Sequence, residues 1–170
     1  MPANITANCD AVPAPFVLTN NDVNDNCTAS ANLTILYNQT STQQGNPNDC
    51  SFYDYILTRT WTVTDCAGNT LVHTQTITVQ NNQTPVAVCQ NITVTLDNTG
   101  TVTITPDQLN GGSSNACVPG SALTFTASQT VFDCSDVGEN TVILLTVNDP
   151  CDNTSTCTAI VTVLEGPGSC

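Results

Sequence analysis

Ten cysteines, one histidine and one basic residue bound the chemistry open to this 170-residue chain. Cysteine can ligate a metal, act as a nucleophile or redox centre, or cross-link the chain. Zinc sites draw on CxxC pairs and His/Cys clusters. Here no two cysteines have that spacing, and His73 is the only histidine. Nucleophilic catalysis would need a second base, a G-x-S-x-G turn or a glycine-rich phosphate loop, and none is present. The chain therefore reads as no enzyme, with no catalytic residue and no cofactor. An even number of cysteines in a Thr- and Asn-rich chain points instead to disulfides formed in an oxidising, extracellular compartment.

Three further groups of residues carry chemistry. Asp22, Asp25, Asp65, Asp149 and Asp152 fall in predicted turns at one end of each half of the chain. Calcium takes six to eight oxygen ligands, so such a cluster could serve it. The competing and preferred reading is Asx-turn geometry, in which each carboxylate accepts from its own backbone. The N-x-S/T triplets at Asn4, Asn26, Asn32, Asn38, Asn82, Asn91 and Asn153 are candidate glycosylation sites, against the alternative that an Asn/Thr-rich composition produces the triplet by chance. Arg59 alternates in phase with Leu57 and Trp61. It is expected to be buried as a structural residue, paired with an acid or stacked on an aromatic.

The elements that position these residues are hairpins. In R-T-W-T-V-T-D-C-A-G-N, from Arg59 to Asn69, an alternating strand runs into an Asp and a cysteine-bearing turn closed by Asn. L-L-T-V-N-D-P-C-D-N, from Leu144 to Asn153, repeats the plan about 85 residues later. Superimposing Asp149 on Asp65 places Val147 on Val63, Leu145 on Trp61 and Ile143 on Arg59. Trp61, Arg59 and Leu145 are thus candidate core residues. Two copies predict two domains, residues 1–83 and 84–170, each with about seven short strands. Ile92, Val94 and Leu96 alternate up to D-N-T-G, read as a hairpin turn from which Val102 and Ile104 return. Pro106 to Leu109 reads as one helical turn. The short linker Asn81–Pro85 predicts a semi-rigid rod.

Composition excludes whole classes of partner. Arg59 is the only basic residue, and the net charge of −13 leaves no phosphate-neutralising surface, so neither nucleic acid nor an anionic membrane is expected as a partner. Charged residues are only 9% of the chain, so its solubility must come from hydroxyl and amide groups. No segment approaches the roughly 20 apolar residues of a membrane helix. Met1–Asp10 has neither the basic start nor the apolar core of a signal peptide, which reads as a mature chain or a piece of a longer one.

The patterns T-R-T-W-T-V-T-D-C-A-G-N-T with T-Q-T-I-T-V, and P-V-A-V-C-Q-N-I-T-V-T-L-D with G-T-V-T-I-T, resemble the tandem immunoglobulin-like repeats, related to hyalin (HYR) repeats, of large secreted proteins in Bacteroidetes-type bacteria. The resemblance implies an all-β fold of two tandem, disulfide-stabilised immunoglobulin-like β-sandwiches. In such a sandwich the first and last strands run parallel as neighbours, which suggests a Cys89–Cys157 bridge. Turn and strand positions then suggest Cys27 with Cys66 and Cys9 with Cys50. Of the remainder, Cys117 with Cys151 leaves Cys134 with Cys170; Cys117 with Cys134 competes, and Cys170 could instead link to another chain. The implied function is a structural subunit of an extracellular fibre or cell-surface stalk, self-associating head to tail and decorated with glycans. The alternative is an adhesin module that binds surface glycans or proteins through its loops, with Tyr53 and Tyr55 as candidate stacking residues.

Overall fold

Alternation of threonine with Leu, Trp, Val and Ile makes strands, because β-branched and aromatic side chains suit a pleated surface buried on one side. The computed structural model describes residues 1–26, 29 and 32–170, divided into two compact units, Met1–Asn81 and Asn82–Cys170. In the first unit the strands are β1 (Ile5–Asn8), β2 (Thr34–Ser41), β3 (Tyr55–Thr64) and β4 (Thr70–Gln80). They form one sheet in the order β1-β4-β3-β2. β1 runs parallel to β4, with Ile5 opposite Ile77, while β3 and β4 form the predicted hairpin, with Trp61 opposite His73.

Its inward row is Leu57, Arg59, Trp61 and Val63, all buried, and Trp61 is 1% exposed. Among the described residues the layer over this row carries no paired strands of its own. Among the described residues between β1 and β2 there is no strand, so this unit shows four strands rather than about seven. Pro13 and Pro15 have no N–H to give to a ladder. The segment meets the sheet through side-chain bonds instead.

The second unit has β5 (Ile92–Thr95), β6 (Thr101–Thr103), β7 (Thr124–Ala127), β8 (Val131–Asp133), β9 (Asn140–Asn148) and β10 (Thr154–Leu164). The order β5-β10-β9-β7 makes a four-stranded sheet, and β6-β8 a separate pair. Ile143, Leu145 and Val147 of β9 and Val161 and Val163 of β10 are at most 1% exposed, and with Phe132 of β8 they form the core. Leu145 thus occupies the place that Trp61 holds in the first unit.

β5 lies parallel to β10, Ile92 opposite Val161. The D-N-T-G turn is formed, with Asp97 N–H donating to Thr101 O at 3.0 Å, but it does not join paired strands. β6 leaves the sheet to pair with β8, while β5 pairs with β10. The turn is therefore a crossing between sheets rather than a hairpin. Pro106–Leu109 is one 3₁₀ turn, with Thr105 N–H donating to Gln108 Oε1 at 2.8 Å.

Candidate functional site

The two repeated turns are built atom for atom alike. Asp65 N–H donates to Asn69 O at 3.0 Å and Gly68 N–H to Asp65 O at 3.2 Å; Asp149, Asn153 and Asp152 repeat both distances. Asp65 Oδ1 accepts from the N–H of Ala67 (2.9 Å) and of Asn69 (2.8 Å), and Oδ2 from Asn69 Nδ2 (2.7 Å). Asp149 Oδ1 accepts from the N–H of Cys151 (2.8 Å) and Asn153 (3.0 Å), and Oδ2 from Asn153 Nδ2 (3.0 Å). A three-residue loop of this kind needs its last residue in the left-handed region. Gly68 (φ +89°) supplies it in one turn and Asp152 (φ +62°) in the other.

These bonds explain the acidity of the turns. The Asn69 side chain and backbone N–H hold the Asp65 carboxyl below the ordinary carboxylate range. Thr19 does the same for Asp22, first through its hydroxyl and then through its N–H. Asp22, Asp25 and Asp65 line one cleft of about 360 Å³. Asp22 and Asp65 are engaged there as acceptors of their own turns, which is the Asx geometry preferred from the sequence.

Arg59 is buried at 3% exposure, yet among the described residues no acid meets it. Its Nη2 donates to Pro13 O (2.7 Å), Nη1 to Ala14 O (3.2 Å) and Nε to Gln39 Oε1 (2.9 Å). The expected acid or aromatic partner is replaced by two carbonyls and an amide. The strandless segment 9–18 leaves carbonyls with no ladder to join, and a planar fork of N–H donors suits them.

The neighbouring side chains repeat the arrangement. Trp61 Nε1 donates to Phe16 O (3.2 Å) and Gln75 Nε2 to Ala3 O (2.8 Å), and His73 Nε2 lies 2.8 Å from Pro2 O. Arg59 stands opposite Gln75, and Trp61 opposite His73, so one patch of β3 and β4 fastens the whole N-terminal segment. His73 is thus a strand residue engaged structurally. Sequence parity placed Arg59 inward; nothing local to it identified partners more than 40 residues away.

Cys89 and Cys157 form a disulfide with Cα atoms 5.8 Å apart, and Cys134 and Cys170 another with the same Cα spacing. The second bond is within the chain. Cys9, Cys50, Cys117 and Cys151 are also disulfide-bonded. Cys66 sits in the exposed turn after β3. Its suggested partner Cys27 lies outside the described residues.

Of the candidate glycosylation sites, Asn4, Asn26, Asn32, Asn38, Asn82 and Asn91 are exposed. The Asn153 amide is held by Asp149. Of the candidate stacking residues, Tyr53 is buried at 4% exposure, its hydroxyl donating to Pro47 O (2.7 Å), and Tyr55 is half-buried. Neither presents an open ring to a sugar.

What the first unit offers solvent is an uncharged face of hydroxyls interrupted by the exposed Leu36, Ile56 and Val72. On the side of the sheet away from Trp61, Thr58, Thr60 and Thr64 of β3 stand opposite Thr76, Thr74 and Thr70 of β4. Arg59 is the only charged residue in the four strands, and it points inward. Charge is confined to turns.

No protein-family model matches the chain, and no curated protein matches it in sequence. Among solved structures it is similar to cadherin domains 1–2 of a human mucin-like protocadherin (14% identity, TM-score 0.39, 96% of this chain and 97% of that one). It is also similar to domains 1–4 of protocadherin gamma B7 (13%, TM-score 0.38, 96% and 49%) and of Drosophila N-cadherin (13%, TM-score 0.38, 98% and 48%). The chain spans about half the length of these last two. Its own strand order defines the fold. The chain is all-β, a disulfide-braced tandem of immunoglobulin-like sandwiches. In each unit the first strand lies parallel to the last.

Proposed function

We propose that this chain is a structural repeat of an extracellular bacterial fibre or surface stalk, built from HYR-like immunoglobulin modules joined head to tail. The observation that carries this reading is the Cys89–Cys157 bridge. It ties the segment entering the second unit to β10, the strand by which the chain leaves it, and spans 68 residues. Tension applied to the chain passes through the sulfurs and bypasses everything between them, so the loop they close cannot unravel. Such a cross-link matters most to a protein that bears load. Cys9 with Cys50 and Cys117 with Cys151 serve as further braces in this reading.

A neutral face of hydroxyls and amides suits dense packing outside the cell and leaves exposed Asn and Thr open to glycans. Two units with distinct ends form open filaments when the contact between copies does not close on itself. Electron microscopy of the native material, with gels run with and without reductant, tests the reading. Fibres that shed this chain are expected; a dispersed monomer with affinity for a glycan or protein would replace the stalk with an adhesin.

A further inference from the structure

We propose that the free edge of β2 is a self-association surface on which a second copy of this chain adds its own β2 as an antiparallel strand. β2 ends its sheet, and at eight residues it is twice as long as any other edge strand of the two four-stranded sheets: β1, β5 and β7 have four each. Thr42 N–H donates to Ile56 O at 3.0 Å, continuing the β2–β3 register. By antiparallel alternation the even-numbered residues of β2 then bond to β3, and Ile35, Tyr37, Gln39 and Ser41 aim their N–H and C=O groups outward. Among the described residues nothing bonds to these outward groups.

Proteins blunt such edges with lysine, proline, a bulge or an inward charge. T-I-L-Y-N-Q-T-S has none of these. Leu36 and Tyr37 on it are 64% and 38% exposed.

The occupant follows from charge and symmetry. Copies of a chain with net charge −13 repel except where their surfaces are neutral, and β2 is a neutral strip of that kind. With Asn38 opposite the partner's Asn38, Tyr37 meets Gln39 and Ile35 meets Ser41, so every outward backbone group is satisfied. Residues of equal parity face the same side in that register, so the threonine face continues across the joint. The inference stands apart from the head-to-tail reading, because a two-fold edge contact closes after two copies.

The test uses the purified full chain. Sedimentation over a range of concentrations is expected to show a monomer–dimer equilibrium, and Asn38→Lys, which sets like charges directly opposite, to weaken it by roughly fivefold at an unchanged melting temperature. Under mild oxidation Asn38→Cys is expected to give a covalent dimer on a non-reducing gel, since a non-hydrogen-bonded antiparallel pair brings Cα atoms within disulfide reach. Thr60→Cys, on the same face but in a central strand, is expected not to. A chain monomeric at every concentration, or a dimer that Asn38→Cys does not capture, overturns the proposal. So does a native mass showing a glycan on Asn38. Fibres that persist while Asn38→Lys weakens the dimer would support an edge contact separate from the head-to-tail one.

Discussion

The guanidinium of Arg59 and the carbonyl of Pro13 meet at 2.7 Å, 46 residues apart in sequence. This contact closes the first unit, because a segment without strand pairing has its carbonyls satisfied by the sheet it covers. Arg59→Met keeps the bulk and removes every donor, leaving the carbonyls of Pro13 and Ala14 without the bonds that hold them to the sheet. The expected loss is about 2–4 kcal/mol, read from urea or thermal unfolding. Arg59→Lys should recover only part of it, since an ammonium cannot reproduce the fork. An unchanged midpoint for Arg59→Met would show that the segment is held by packing alone.

Asp152 holds a left-handed backbone where its counterpart is Gly68. Asp152→Gly should therefore stabilise the second unit by about 0.5–1 kcal/mol, and Gly68→Ala should destabilise the first by a similar amount. Thermal melts of the two single variants should move in opposite directions.

Asp65→Ala deletes the acceptor for two backbone N–H groups and one amide and should lower the melting temperature of the first unit. Asp65→Asn, which keeps one acceptor oxygen, should lower it less. Hydrogen exchange of the Ala67 and Asn69 amides reports the clasp directly.

The carboxyls of Asp22, Asp49, Asp65, Asp97 and Asp133 all titrate below the ordinary aspartate value, through bonds from Thr19, Ser51, Asn69, Thr99 and Ser135. A depressed folded-state pKa contributes stability that is fully present above the unfolded value of about 3.9 and is lost as pH falls through the folded one. Unfolding midpoints should therefore hold steady down to about pH 5 and fall below about pH 4. Removing Asp65 should flatten that fall. Constant stability down to pH 2 would contradict the linkage.

Reduction should expose the load path. Pulled from its ends while oxidised, the second unit keeps the 68-residue loop out of the extension; reduction should lengthen the unfolded contour by roughly 230 Å at about 3.4 Å per residue. The Cys89→Ser, Cys157→Ser double variant should lengthen it by less than full reduction does, because Cys134–Cys170 still closes its own loop, and should lose about 4 kcal/mol of stability in the chain-entropy account.

Much of this was legible in the letters alone. Parity along Leu57–Val63 placed Arg59 and Trp61 inward, and the Asp…Asn spacing marked both clasps. Periodicity reports which side of a strand is apolar but not which strand lies beside it, so the D-N-T-G turn was readable while the separation of β5 from β6 was not. The strandless layer escaped for a related reason. Its bonds run from side chains to carbonyls far along the chain, and carbonyls leave no trace in sequence.

The burial of Arg59 reaches beyond folding. Trypsin-like proteases cut after lysine or arginine, and this chain offers them a single bond, between residues 59 and 60. That bond lies in β3, with β2 paired on one side and β4 on the other. While folded, the protein keeps the one bond such proteases could cut inside a paired sheet.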